Sequence, residues 1–103
     1  MPKYIFAYHG GSAPDTPEEG AKVMEQWMSW LGGMGEDALD MGNPAGPSRT
    51  VSAGGVEDNG GSNPISGYSL VSAPDMESAL EMAKGCPALN SGGTVEVAEA
   101  MEM

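Results

Sequence analysis

Residues 67–97, GYSLVSAPDMESALEMAKGCPALNSGGTVEV, decide the fold of this chain. Aromatic and β-branched side chains at the start of this stretch predict a strand over 65–73. Asp75 then stands where a helix N-cap is expected, and apolar residues recur after it at helical spacing. A Gly-Cys-Pro triplet stops that helix, and alternation of valine with acidic residues over 94–100 predicts a closing strand.

The first third of the chain predicts a strand followed by a longer helix. Residues 3–9, KYIFAYH, have the composition of a strand and carry apolar side chains on both faces. Thr16 is the expected N-cap, with Pro17 at the first helical position and Glu19 completing a capping box. The helix is expected to end near 32–33, where two glycines occur. Its apolar stripe consists of Val23, Met24, Trp27, Met28, Trp30, Leu31 and Met34.

The middle third is rich in glycine and proline and gives weaker signals. Two short strands are predicted, over 38–41 and 50–53. Asn59-Gly60 is a favoured hairpin dipeptide, so the chain is expected to turn back over 54–64 before the strand at Ile65.

The order of elements predicts the architecture. Strand, helix, strand, strand, helix, strand is the split βαβ order, so we expect a single α+β domain over 1–103 with a ferredoxin-like βαββαβ fold. A four-stranded antiparallel sheet would carry both helices on one face. Because strand 3–9 is apolar on both sides, the other face is expected to pair with a second copy, giving a homodimeric α+β barrel.

Composition narrows the partners. The chain has 103 residues with 15 acidic and 4 basic side chains, a formal charge of −11. Such a field repels phosphate backbones and anionic lipid headgroups, so neither nucleic acid nor membrane is expected as a partner. No apolar run approaches the roughly 20 residues of a membrane span, and the N-terminus does not resemble a secretory signal, which predicts a cytoplasmic protein. Cys86, the only cysteine, is interpreted as a small half-buried filler, and no metal or cofactor is expected.

His9 is the only histidine and the best single candidate for chemistry. An imidazole can act as a general base near neutral pH when a carboxylate or carbonyl orients it. Asp15, Asp37 and Asp40 lie on segments that could approach it, although a structural histidine at a strand end is the favoured interpretation. A small-molecule pocket between the first helix and the sheet would be lined by Tyr8, His9, Trp27 and Tyr68.

Other polar and aromatic candidates have simpler interpretations. Alternation with Leu39 and Met41 predicts that Asp40 faces outward. Arg49 is expected in a surface ion pair of little net stability rather than as an anchor for an anion. Trp27 and Trp30 are expected in the core, although an aromatic cavity would suit a flat apolar ligand.

The motif APDMESALEMAKGCPAL over 73–89, with the tryptophan-bearing QWMSWLGGMG over 26–35, resembles the YCII-related superfamily, in particular its DGPF branch. The resemblance extends over most of the chain, and its motifs are mainly structural. It implies a ferredoxin-like domain paired as a dimeric α+β barrel. It also implies a regulatory setting, since relatives of this branch tend to be encoded beside extracytoplasmic-function sigma factors.

Two departures separate the chain from that branch. The Asp-Gly-Pro-Phe tetrapeptide expected before the third strand is replaced by EDNGGSNPIS over 57–66. Some relatives are suspected of catalysis through a histidine in the first helix paired with an aspartate, but residues 17–34 contain no histidine. That pair is therefore not transferred to this chain.

The sequence leaves two functions open. The favoured one is a homodimeric domain that binds a small molecule or a protein partner, because the sequence carries no recognisable catalytic cluster. The alternative is a cofactor-independent enzyme that performs acid-base chemistry on a small aromatic or carbonyl compound.

Overall fold

The computed structural model describes residues 2–11 and 15–101, which form an α+β domain. Its strands and α-helices are β1 (Lys3–His9), α1 (Pro17–Gly33), β2 (Ala38–Asp40), β3 (Thr50–Ser52), β4 (Gly55–Glu57), β5 (Ile65–Ser72), α2 (Met76–Ala83) and β6 (Thr94–Glu99). Short 3-10 helices follow α1 at Gly35–Asp37 and α2 at Pro87–Ser91.

The main sheet has four strands in the order β2-β5-β1-β6, and all neighbouring strands are antiparallel. β1 lies in the middle, paired with β5 on one side and with β6 on the other. A four-stranded antiparallel sheet with two helices was predicted, and this part of the prediction is confirmed. The strand order is compatible with a ferredoxin-like fold.

Both helices begin at the side-chain caps that the sequence predicts. Thr16 Oγ1 accepts a hydrogen bond from the Glu19 backbone N–H at 3.1 Å, and Glu19 Oε2 accepts one from the Asp15 N–H at 3.2 Å. Asp75 Oδ1 accepts from the Ser78 N–H at 2.8 Å. Hydrogen bonds from the backbone and the side chain of Ser78 lower the pKa of Asp75. The caps satisfy N–H groups that have no partner inside the helix, which is why both helix starts were predictable.

The core lies between the helices and one face of the sheet. Tyr4, Phe6 and Tyr8 alternate along β1 and are all buried on this face. Trp30 of α1 stacks on Phe6 with ring centroids 6.1 Å apart, and its indole N–H donates to the Met82 carbonyl of the α2 layer at 3.0 Å. The core interpretation of the two tryptophans is therefore confirmed. Other residues in the buried cluster are Val71, Ala73, Ala79, Ala83 and Cys86.

The predicted apolar stripe of α1 is only partly buried. Leu31 is buried, and Trp27, Trp30 and Met34 pack against the core, whereas Met24 and Met28 are exposed. At 100° per residue these two methionines point roughly 70–110° away from the centre of the buried side. One helix cannot bury all seven residues of this stripe against one sheet.

The middle of the chain forms a hairpin of its own. β3 and β4 pair only with each other among the described residues, and the chain reverses at Ala53-Gly54. The chain was expected to turn back over 54–64, with Asn59-Gly60 as the hairpin dipeptide. The reversal lies instead at Ala53-Gly54, at the start of that range, and the next long strand begins at Ile65 as predicted. Asn59 instead accepts a hydrogen bond from the Gly61 N–H at 2.9 Å.

The molecule is a flat plate rather than a sphere. Its extents are 43 × 41 × 18 Å and its radius of gyration is 14.7 Å, against about 13 Å for a compact chain of this length. Its accessible surface is 6989 Å², whereas a compact monomer of this mass exposes about 5,400 Å². One broad side of the plate is the helix layer, and on the other side no helix of the described residues covers the sheet.

Candidate binding face

The side of the main sheet turned away from the helices is called the open face. Because strand pairing fixes which side chains share a face, three rows run across β5, β1 and β6. The rows are Leu70-Ile5-Ala98, Tyr68-Ala7-Glu96 and Ile65-His9-Thr94.

Apolar side chains on the open face are left partly exposed. Ile5 retains 37% of its surface and Tyr68 retains 36%, and Ile65 is also exposed. Leu70 lies beside Ile5 and is half-buried. A contiguous apolar area of this kind on a small acidic protein is a candidate surface for binding.

The short side chain of Ala7, at the centre of this face, would leave a depression among longer neighbours. It lies between Ile5 and His9 along β1, and between Tyr68 and Glu96 across the sheet. All four neighbours have longer side chains than its single methyl group. The depression therefore has apolar walls on one side and an ionisable pair on the other.

His9 is held by hydrogen bonds at both ring nitrogens. Nδ1 lies 3.0 Å from the Asn63 carbonyl oxygen and 3.3 Å from that of Pro64. Nε2 lies 3.1 Å from Oε1 of Glu96, and only 14% of the His9 side chain is exposed. Carbonyl and carboxylate oxygens only accept, so each of these contacts is a hydrogen bond only from a ring nitrogen that carries a proton.

The carboxylate beside His9 is Glu96, and not one of the three aspartates that the sequence suggested. Asp40 accepts from the Gly42 N–H at 2.8 Å, and Asp37 accepts from the Ser72 hydroxyl at 3.2 Å. Asp40 is exposed, as predicted. The split βαβ order pairs the first strand with the last, but which residue of β6 reaches His9 depends on the register of the two strands.

Tyr8 and Trp27 lie on the other side of the sheet from His9 and Tyr68. The Tyr8 ring meets Trp27 edge to face at 4.8 Å inside the core, where burial raises the tyrosine pKa to about 12. The structure therefore does not bring the four residues into one pocket between α1 and the sheet. Strand alternation explains the separation, since neighbouring residues of β1 point to opposite faces.

Two remaining candidates have the structural roles that were predicted. Cys86 is buried, and its burial raises the thiol pKa to about 11, so the thiolate that would react is disfavoured. Arg49 lies 3.9 Å from Asp58, and both side chains are largely exposed. An ion pair of this kind adds little stability.

The helix layer carries two shallow grooves. One, of about 640 Å³, lies between α1 and the 3-10 helix after α2, with Trp30, Gln26 and Asn90 among its lining residues. The other, of about 280 Å³, is apolar and lies between α2 and β6, where Leu80, Leu89 and Val97 contribute. Neither groove contains His9, Glu96 or Tyr68.

Over residues 2–11 and 15–101, no group of three or more histidine, cysteine or acidic side chains is arranged to hold a metal ion. No helix in the described part of the chain has the length and apolar character needed to cross a membrane. No family model matches the chain, and no curated protein matches it either.

Proposed function

We propose that this protein is a homodimeric binding domain whose two open faces meet and enclose a site for a small molecule. The observation that carries the proposal is the unusual surface of the single chain. Its accessible surface of 6989 Å² is about 1,600 Å² larger than a compact chain of its mass exposes. A standard interface buries roughly 800 Å² on each partner, so pairing with a second copy would cover about half of this excess.

Face-to-face pairing of the sheets would give the dimeric α+β barrel of the YCII-related superfamily, with each sheet in a ferredoxin-like arrangement. The antiparallel sheet, the two helices on one face and the bare opposite face support this assignment. The buried, unpaired Cys86 suits the reducing environment of the cytoplasm. A regulatory setting beside a sigma factor is part of the same family-based proposal.

The depression at Ala7 is the proposed ligand site. When two open faces meet, a small residue surrounded by longer ones leaves space between the sheets. Ile5 and Tyr68 supply apolar contact, and the Glu96 carboxylate supplies a charged acceptor. The expected ligand is a small apolar compound that is neutral or cationic, because the chain's charge of −11 opposes anions.

A binding function is favoured over catalysis by the state of His9. Both of its ring nitrogens already face protein oxygens, so neither is free to take a proton from a substrate. The 3.1 Å contact between His9 and Glu96 is nevertheless the pairing that an acid-base enzyme would use. Turnover of a bound aromatic or carbonyl compound, lost in His9→Gln, would favour that second candidate.

Light scattering on the purified chain tests the dimer. We expect about twice the 10.5 kDa chain mass for the wild type, and the monomer mass for Ile5→Asp, which puts a charge into the interface. Val23→Asp is the matched control, since Val23 is 38% exposed against 37% for Ile5 but lies on α1. A wild type that stays monomeric at high concentration would overturn the proposal.

A further inference from the structure

The β3–β4 hairpin, residues Thr50–Glu57, is called the arm. Its strands are three residues long and pair only with each other in the described part of the chain. A lone two-stranded hairpin of this length is marginal in water unless a further surface covers it. Something outside the single chain is therefore needed to stabilise the arm.

The arm carries an uncovered apolar pair. Val51 and Val56 lie directly opposite each other across the two strands and are 77% and 62% exposed. The neighbouring pair Thr50 and Glu57 points to the other side and is polar. The arm is thus a two-sided ribbon whose apolar side lacks a cover.

The base of the arm is anchored to the main sheet. The Ala45 N–H donates to the Ser66 carbonyl at 2.9 Å, and Pro44 bridges to Gly67 of β5. On the return side, His9 contacts the carbonyl oxygens of Asn63 and Pro64. These contacts fix where the arm leaves the sheet, at the end of the open face that carries His9.

The open face alone is small for an interface. β1 has 7 residues, which at about 3.3 Å each, across four strands about 4.8 Å apart, gives a footprint of roughly 400 Å². A stable interface needs roughly 800 Å² per partner. Residues 58–64 join the arm to β5, the strand that carries Tyr68 and Leu70, so the arm can extend the same interface.

We propose that the arm of each protomer closes over the second copy of the chain and buries Val51 and Val56 in the same two-fold interface. This inference rests on the proposed homodimer. Two-fold symmetry makes both arms contribute equally, so each protomer both gives and receives one valine pair. His9 acquires a role in this arrangement, because it holds the base of the arm in position.

Dilution experiments by analytical ultracentrifugation test the arm. The double variant Val51→Ser with Val56→Ser is expected to raise the dimer dissociation constant by about tenfold or more, through loss of buried apolar area. The matched control is Thr50→Ser with Glu57→Gln, which alters the polar side of the same strands. The monomer's urea midpoint is expected to stay unchanged, because both valines are exposed in the single chain.

The outcomes separate the arm from the dimer itself. A wild type that is monomeric overturns both proposals, whereas a wild-type dimer whose dissociation constant is unchanged in the valine variant overturns the arm alone. A photo-cross-linking residue at position 51, in dimers mixed from isotopically labelled and unlabelled chains, gives a direct readout. Links between labelled and unlabelled chains are expected, and links only within one chain would contradict the inference.

Discussion

At the scale of single residues, a buried serine connects three segments of the sheet. The Tyr8 hydroxyl donates to Ser69 Oγ at 2.8 Å, and Ser69 Oγ donates to the Met41 carbonyl at 2.6 Å. Ser69 is fully buried and Tyr8 nearly so. Each polar atom in this chain is satisfied by the next, which is how a hydroxyl is tolerated inside an apolar core.

Replacement of Ser69 by alanine is expected to destabilise the protein by about 1–3 kcal/mol, because it leaves the Tyr8 hydroxyl without an acceptor in the core. Adding Tyr8→Phe removes the orphaned hydroxyl, so the double variant should lose less than the sum of the two single changes. Urea unfolding of the four proteins measures the coupling. Ser52→Ala on the exposed arm is the control, and an equal effect of the two serine changes would contradict the role given to Ser69.

The same scale shows what sequence could not locate. His9 was identified because the chain has a single histidine. The partners of His9 could not be identified from the sequence, because Glu96 is 87 residues away and the carbonyls of Asn63 and Pro64 lie in the segment with the weakest pattern. Only the register of β1 with β6 brings the carboxylate to the ring. The sequence therefore identifies His9 as a candidate, whereas its contacts depend on how the strands pair.

At the scale of elements, the caps were predictable and the irregular connections were not. Thr16 and Asp75 mark the starts of α1 and α2 through bonds that span three residues. The segment after β2 depends instead on a close approach between distant backbones. Gly42 has φ +77°, and a Cβ atom there would overlap the Tyr68 carbonyl. No local sequence pattern predicts such a contact.

Gly42→Ala is therefore expected to destabilise the protein by more than about 1 kcal/mol, since both the positive φ and the overlap oppose a side chain. Gly46→Ala, four residues later, is the matched control because its added methyl group meets no atom within 4 Å. Thermal unfolding of the two variants compares them directly. Equal melting temperatures would show that the approach of Gly42 to β5 is not as close as described.

At the scale of the whole molecule, shape and charge act against each other. A plate 18 Å thick with a bare sheet on one side favours pairing. A formal charge of −11 on every chain opposes it, because two such chains repel one another. The sequence predicted the pairing through the apolar residues on both sides of β1, whereas its excess of acids was used only to argue against nucleic acid and membrane as partners. It could not predict the flatness, which depends on how far the arm projects.

The balance between these effects should make the proposed dimer sensitive to salt. Raising sodium chloride from about 10 mM to about 100 mM shortens the screening length from about 30 Å to about 10 Å. Repulsion between protomers then falls, so the dissociation constant is expected to decrease several-fold in sedimentation equilibrium. Glucose at the same osmolality controls for non-ionic effects. Weaker association at higher salt would indicate that attractive ion pairs hold the dimer instead.

Both indole rings lie on the helix side of the sheet, so tryptophan fluorescence reports mainly on that side. Trp27 and Trp30 are the only tryptophans of the chain, and both lie on α1 against Tyr8 or Phe6. Their emission should change when the helices detach from the sheet, and it should change little when two open faces associate or separate. Fluorescence and hydrodynamic mass would then follow two different transitions in a single titration.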